Sequence, residues 1–337
     1  MSQKNPKISV VILNWNGKKF LEQFLPNVLT TSYKNFELII IDNGSSDESV
    51  PFLKDFYPSI RLIELPKNLG FAGGYNEGLK QIDTDYYVLL NSDVEITSDW
   101  LQPMLKRIEE NKKIVALQPK ILAYHKKSHF EYAGASGGFI DKLGYPFCRG
   151  RIFNSLEEDK GQYQEAIPIF WATGCALFID AKKYWEVGGL DTDLFAHQEE
   201  IDLCWRLQNK GYQIWIEPQS IVYHVGGGTL NQGSPGKDYL NFRNNLIIIL
   251  KNHPKPFSTL IIRLLLDALA FIRMCTQLKI ANAWAIVRAY KDFILSIKTT
   301  LTKRKKNPIP SSYLKCIYTK SIVHKFFLMR IKTFKDL

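Results

Sequence analysis

Glu199, Glu200 and Asp202 place three carboxylates within four residues, just ahead of Leu203-Cys204-Trp205-Arg206-Leu207. At the start of a helix such a cluster could simply be stabilised by the positive end of the helix dipole. Held over a cleft, it could instead supply a general base, because like charges this close raise the pKa of one of the group. Asn91-Ser92-Asp93 follows the apolar Val88-Leu89-Leu90. It reads either as a polar strand end or, beside a diphosphate, as a carboxylate ligand for Mg²⁺ or Mn²⁺. Asp42 ends the apolar run Phe36–Ile41 and precedes Asn43-Gly44-Ser45-Ser46-Asp47. It could cap the next turn, or accept hydrogen bonds from a nucleotide base or ribose. The Gly-rich run from Asn68 to Gly78 could be a tight turn, or a backbone cradle for a diphosphate at a helix start. It matches neither G-x-G-x-x-G nor the P-loop, which removes the common dinucleotide and triphosphate readings. His224 ends an apolar segment, and a lone histidine there is either structural or a ligand. Trp171-Ala172-Thr173-Gly174-Cys175 is either core packing or an aromatic platform for a sugar.

The elements that must position these groups alternate over the first 120 residues. Strand-like runs at Ile8–Leu13, Phe36–Ile41, Ile60–Glu64, Tyr86–Leu90 and Ile114–Gln118 are separated by helical periodicity. The helices fall at Phe20–Leu29, from a Ser45/Glu48 capping box through Tyr57, at Ala72–Ile82 and at Ser98–Asn111. The predicted fold class is therefore α/β, with a mainly parallel sheet and helices on both faces. Such sheets bind ligands at the carboxyl ends of their strands. Here those ends read Asn14-Trp15-Asn16-Gly17, Asp42–Asp47 and Asn91-Ser92-Asp93, and they converge on one cleft. Residues 121–168 lose the alternation and read as a loop or hairpin insertion. Order returns at Cys175–Ile179, at a helix over Glu199–Lys210, and at strands Gln213–Ile216 and Ile221–His224. A glycine turn, Gly226-Gly227-Gly228, follows.

The chain has 337 residues with ordinary globular composition, 45% apolar and 23% charged. Its net charge of +11 is unevenly placed. Residues 251–337 carry 18 Lys/Arg against 3 Asp, whereas residues 1–250 carry 26 basic against 30 acidic residues. The expected division is a catalytic domain over 1–250, with 121–168 as an acceptor-side insertion, and a basic amphipathic helical tail over 251–337. In the tail Leu260, Ile261, Leu264, Leu265, Ala268, Leu269 and Ile272 share one helical face, and Arg263 and Asp267 sit four apart on another. Trp284, Tyr290 and Lys303-Arg304-Lys305-Lys306 suit an anionic membrane interface. A helical cap packed on the catalytic domain would account for the same residues. No nucleic-acid module is recognisable, and nucleic acid is not an expected partner. Five cysteines without C-x-x-C spacing argue against a disulfide framework or a cysteine zinc site. No secretory signal or spanning helix is expected, so the default compartment is the cytoplasm.

Taken in order, Ile8–Asn16, Asp42–Asp47, Asn68–Gly78, Asn91–Asp93, Trp171–Cys175, Glu199–Asp202 and His224 resemble the family-2 inverting glycosyltransferases with a GT-A fold. The resemblance covers roughly residues 6–250. The stretches Asn68–Asn76 and Gly188–Arg206 look like the rhamnosyltransferase branch of bacterial surface polysaccharide synthesis. It implies that Asn14 and Asn16 line a nucleotide pocket and that Asp42 contacts the base. Asn68, Gly70 and Asn76 would lie near the ribose and diphosphate of a nucleotide-diphosphate sugar. Asn91-Ser92-Asp93 takes the place of the metal-binding D-x-D, with Asn91 replacing its first aspartate. Asp93 and His224 would then hold a divalent Mg²⁺ or Mn²⁺. Glu200 takes the place of the base, with Glu199 and Asp202 as alternates, and Trp171 faces the acceptor. The implied reaction is single-displacement transfer of a sugar, rhamnose in that branch, to a hydroxyl of a glycan or lipid-linked acceptor. The charge of residues 251–337 and the apolar face of Leu260–Ile272 predict a peripheral location, on the inner face of the cell membrane. The competing expectation is a catalytically silent GT-A-like module that binds nucleotide sugar or membrane. A nucleotidyltransferase would want a basic Gly-rich loop after the first strand, and Asn14–Gly17 is not one.

Overall fold

The computed structural model describes residues 5–226, 233–307, 309–310, 314 and 316–337. The amino-terminal half is built as β1 (Ile8–Asn14), α1 (Lys18–Val28), β2 (Phe36–Asp42), α2 (Ser49–Phe56), β3 (Arg61–Glu64), α3 (Gly70–Leu79) and β4 (Tyr86–Leu90). The short β5 (Val94–Ile96), α4 (Leu101–Glu110) and β6 (Ile114–Ala123) follow. Strands β1 and β2 read as unbroken apolar runs because helices cover both faces of the sheet, and Ile8, Val10, Val11, Ile39, Ile40 and Ile41 have no exposed surface. Strand β1 pairs in parallel with β2 and β4, and β2 with β3. The alternation of the sequence is thus realised as parallel crossovers.

Beyond β6 the sheet changes character. β7 (Lys126–Phe130) folds back on β6, and β12 (Pro168–Ile169) lies at the far edge. β13 (Ala176–Asp180) inserts antiparallel between β4 and β6. After it come α5 (Ala181–Glu186), α6 (Glu199–Asn209) and β14 (Gln213–His224). The strand order of the main path is β12-β14-β6-β13-β4-β1-β2-β3. The two strands expected at 213–216 and 221–224 are one, β14, whose pairing with β6 is interrupted by an irregularity between Glu217 and Ile221. The irregularity hides the continuity from a period-two reading. The insertion is a layer of its own. β8 (Gly138–Asp141), β9 (Pro146–Cys148), β10 (Arg151–Ile152) and β11 (Ser155–Leu156) make a meander, while residues 121–123 complete β6.

The carboxyl-terminal region is α7 (Pro235–Asn252), α8 (Pro256–Thr276), α9 (Ile280–Lys306) and β15 (Ile317–Tyr318). The boundary expected at residue 250 falls inside α7, and β15 pairs in parallel with β8. The insertion and the tail therefore share one small sheet. Helix α8 packs by its polar side: Arg263 and Asp267 are 2% and 1% exposed, whereas Ile261, Leu265 and Leu269 are 66%, 65% and 62% exposed. Tyr145 and Tyr290 hydroxyls donate to the two Asp267 oxygens at 3.0 and 2.9 Å, and the Arg263 guanidinium lies 3.7 Å from the Tyr145 ring centroid. This polar knot, in which only Arg263 Nε lacks a partner among the described residues, lets the charged face be the buried one. Two residues of the basic run also turn inward. Lys303 pairs with Asp191 and Asp193 at 2.5 and 2.6 Å, and Arg304 Nη1 donates to the His253 carbonyl at 2.8 Å. Among the described residues, no helix is long and apolar enough to cross a membrane.

Candidate active site

The carboxyl ends of β1, β2 and β4, the start of α6, the end of β14 and the insertion enclose a cleft of about 1120 Å³. Behind its β1–β2 side lies a hydrogen-bond network. Asn14 at the end of β1 is fully buried, and its amide donates to Asp42 Oδ1 at 3.0 Å and to Ser45 Oγ at 3.2 Å. Ser45 returns its hydroxyl to Asp42 Oδ1 at 2.6 Å and its backbone N–H to Oδ2 at 2.9 Å. This corrects the capping box expected for Ser45. The carboxylate is the stronger acceptor, and α2 starts at Ser49 with no side-chain cap from Glu48. Asn14 and Asp42 accordingly stand behind the cleft wall, and neither lines it, whereas Trp15, Asn16, Asn68 and Gly70 do. Asn16 Oδ1 accepts from Ser46 N at 2.7 Å, and Asn68 Oδ1 accepts from Gly70 N at 2.8 Å. Asn76 does not reach the cleft. It ties α3 to the chain before α6, donating to the Leu190 carbonyl at 2.8 Å and accepting from Tyr184 Oη at 2.6 Å. Gly70 has φ +74°, and a Cβ there would meet the Phe195 ring at 2.5 Å, so the loop can pass only as glycine.

At the end of β4, Asp93 and His224 come together. His224 Nε2 is 3.1 Å from Asp93 Oδ1 and 3.4 Å from Asn91 Nδ2, and its Nδ1 is 3.2 Å from Glu131 Oε2. The pairing is delivered by the sheet, because β5, just after Asp93, runs antiparallel to β14 with His224 opposite Val94. Burial works against charge on the imidazole, yet Cys175, Asp93 and Glu131 raise its pKa well above the ordinary value. Burial would raise the Asp93 carboxyl, but His224 holds it below the usual carboxylate range. Glu131 sits in a segment with no motif of its own, and its role could not be read from sequence. Among the described residues no three His, Cys, Asp or Glu side chains are grouped to hold a metal. Asp93 and His224 are the residues that would hold a divalent ion, His224 only as the neutral imidazole, whereas here its two nitrogens face Asp93 and Glu131.

The acidic cluster separates into two roles. Glu199 and Glu200 both line the cleft, and each leaves Oε2 buried with no hydrogen-bond partner. Burial, then the charge of Glu200, pushes the Glu199 carboxyl well above the usual range, and burial lifts Glu200 to about 7. Asp202 has no exposed surface and faces away. It pairs with Lys251 at 2.7 Å and Arg206 at 2.8 Å, and accepts from Asn252 Nδ2 at 2.7 Å. Two residues, about 200° of helix, separate Asp202 from Glu200, so Asp202 points behind the cleft and ties α6 to α7. Phe195, His197 and Gln198, just ahead of α6, all take positive φ (62°, 68° and 69°). Strain of this kind persists where surrounding structure over-determines the backbone, here beside the two orphaned carboxylates. Asn244 holds the turn by donating to the carbonyls of Leu194, Ala196 and His197 at 2.7–3.0 Å. Trp171 lines the cleft but is nearly buried, with its indole Nε1 donating to the Phe139 carbonyl at 2.9 Å. A Cβ on Gly138 would lie 2.2 Å from the Trp171 ring, so the flat face expected for a sugar is occupied by backbone. The glycine turn expected after His224 lies, from Gly227 onward, outside the described residues.

A sequence model of the family described as Glycosyl transferase family 2 matches residues 9–186, just over half of the chain. Curated relatives include poly-beta-1,6-N-acetyl-D-glucosamine synthases. That of Staphylococcus epidermidis is 27% identical over 218 residues, 64% of this chain and 49% of its own length. That of Staphylococcus aureus (strain COL) is 27% identical over 229 residues, 66% of this chain and 51% of its own. The chain thus spans about half the length of the curated relatives it matches. Among solved structures, GalNAc-T7 with UDP, GalNAc and Mn²⁺ superposes with a TM-score of 0.57 at 15% identity, covering 74% of this chain and 49% of that one. S. aureus TarS 1–349 gives 0.56 at 15%, covering 88% and 83%. The mannosyltransferase PcManGT from Pyrobaculum calidifontis, in complex with GDP-Man and Mn²⁺, gives 0.52 at 14%, covering 90% and 80%. At these identities the structural likeness speaks for the GT-A fold alone. With the family match over residues 9–186, the chain belongs to glycosyl transferase family 2.

Proposed function

We propose that this chain is an inverting glycosyltransferase that moves a sugar from a nucleoside-diphosphate donor to a hydroxyl of a glycan or lipid-linked acceptor in cell-surface polysaccharide synthesis. The observation that carries the reading is the pair of orphaned carboxylates at the start of α6, facing the same cleft as Asp93 and His224. A buried carboxylate without partners is costly, and such perturbed groups cluster at functional sites. Glu200, lifted to about 7, suits a base at neutral pH. Its side chain takes the proton of the acceptor hydroxyl as that oxygen attacks the anomeric carbon. The diphosphate departs from the opposite face, so one displacement inverts the centre without a covalent enzyme intermediate. Glu199, held protonated beside it, keeps the pair from carrying two adjacent charges. Asp93 and His224 would hold a divalent Mg²⁺ or Mn²⁺, which when bound would neutralise charge on the leaving diphosphate. The insertion, with Trp171 beneath it, forms the acceptor side.

Two donor classes compete. The sequence resemblance favours a rhamnosyl donor, and the poly-beta-1,6-N-acetyl-D-glucosamine synthases favour an N-acetylhexosaminyl donor. A transfer and hydrolysis assay over a panel of nucleotide sugars with Mn²⁺ tests both readings. Turnover of one donor is expected. Donor binding without any turnover would leave the silent binding module instead.

The outward apolar face of α8 supports peripheral attachment to the inner membrane face. Ile261, Leu264, Leu265, Leu269 and Ile272 are all exposed, and Trp284 of α9 is 61% exposed. Arg288, Lys291 and Lys298 share the exposed side of α9. An apolar patch of this kind rimmed by basic residues matches an anionic bilayer. Pelleting with anionic vesicles, weakened by salt and by Leu265→Ser with Leu269→Ser, is expected. Equal recovery in the supernatant with and without vesicles would overturn the attachment.

A further inference from the structure

Two cations meet in the cleft with no ion pair to either among the described residues. Arg151 of β10 has its guanidinium carbon 4.3 Å from the Tyr132 ring centroid, and Lys237, in the first turn of α7, has its ammonium 5.8 Å from the same centroid. Both residues line the cleft that holds Asp93 and Glu200. Arg151 is only 6% exposed. Its Nη2 donates to Cys148 Sγ at 3.1 Å and its Nη1 to the Phe153 carbonyl at 3.3 Å, but Nε has no partner among the described residues. The Lys237 ammonium likewise has no hydrogen bond or ion pair among the described residues. The neighbouring carboxylate, Glu131, is engaged by His224 and by the Ala133 backbone N–H. Asp238 accepts from Asn282 instead, at 2.7 Å. Burial depresses the Lys237 ammonium, the charge of Glu131 opposes it, Arg151 adds to the depression, and Asp238 opposes it more weakly.

Like charges held together in a half-dry cleft call for an anion, and the positive end of α7 lies beside them, with the N–H groups of Lys237 and Asp238 already taken by Ser234. We propose that Arg151 and Lys237 form a subsite for a diphosphate ester. The ester is either the leaving group of the donor or the diphosphate of a lipid-linked acceptor. The subsite rests on the glycosyltransferase reading for its role, though not for its ability to bind. It also gives Asn91 a rationale: where the first carboxylate of the metal site is missing, fixed side-chain cations supply positive charge to the same anion.

The test is calorimetry on the full chain, comparing wild type with Lys237→Gln and Arg151→Gln, with circular dichroism to check folding. Inorganic pyrophosphate is titrated with chelator present, and UDP, GDP, dTDP and farnesyl diphosphate with Mn²⁺. Pyrophosphate affinity should fall about tenfold or more in Lys237→Gln, the loss expected for one charge-assisted hydrogen bond. A parallel loss for a nucleoside diphosphate assigns the subsite to the donor, and a loss for farnesyl diphosphate alone assigns it to the acceptor. If Arg151→Gln does not fold, Lys237→Gln decides by itself. Unchanged affinity for every ligand in Lys237→Gln, or no binding of any to wild type, overturns the subsite. If no nucleotide binds wild type while Lys237-dependent pyrophosphate binding persists, the donor reading fails and the anion site stands.

Discussion

The two walls of the cleft are built on opposite electrostatic principles. On the side of β1 and β2, Asn14, Asn16, Asp42 and Ser45 bond one another, Asn68 accepts from Asn43 and from Gly70 N, and of these residues only Asn14 leaves an atom, Oδ1, buried without a partner. On the facing side, Glu199 Oε2, Glu200 Oε2 and Arg151 Nε are buried and unmatched. The first wall is rigid before any ligand arrives, which suits recognition of a constant group. The second holds unmet charge in place by strain at Phe195–Gln198 and by ion pairs behind α6, which suits a group that must react.

The comparison breaks most visibly if the support behind α6 is removed. Asp202→Ala would leave Lys251 to Asp191 alone and Arg206 to the Val187 and Gly189 carbonyls, and for the lost charge-assisted bonds we expect a loss of about 3 kcal/mol in chemical unfolding. A loss below about 1 kcal/mol would mean that the reactive wall needs no such buttress. Next in size is the metal anchor. Chelation, Asp93→Ala or His224→Ala should each lower donor affinity by at least about tenfold, as isothermal titration would show. Activity indifferent to chelator would transfer charge neutralisation to Arg151 and Lys237. The mildest change is expected on the satisfied wall. Ser45→Ala leaves one Asp42 oxygen short of a donor and should cost about 1–3 kcal/mol of stability, with turnover of bound donor nearly unchanged.

The same contrast governs what could be read before the structure was known. The first wall lies on parallel strands whose apolar runs and polar ends are local features, so β1 to β4 and the convergence of Asn16, Asn91 and Asp93 were legible. The strand register also brought His224 to Asp93 from 131 residues away, as the family pattern implied. The facing wall depends on contacts that leave no local trace. Glu131, Arg151 and Lys237 belong to no motif and reach the cleft only because the meander and α7 fold over it. Asp202 shares a short acidic string with Glu200, and only the turn of α6 sends the two to opposite sides. In α8 the periodicity was legible and its orientation was not. An apolar stripe ordinarily faces a core, but here Tyr145, Tyr290 and Asn245 receive Arg263 and Asp267 instead.

The central claim is that Glu200 is the base, and the pH dependence of turnover in wild type and Glu200→Gln tests it most directly. The folded carboxyl is lifted to about 7, so its basic form is lost as pH falls through that value. Wild-type kcat/KM should therefore rise from pH 5.5 along a single acidic limb and level off above about 8. Glu200→Gln should lower turnover by about 10²-fold or more, abolish that limb, and leave donor affinity nearly unchanged. Wild-type-like turnover in Glu200→Gln, or the same limb persisting in it, would contradict the assignment and move the proton transfer to Glu199.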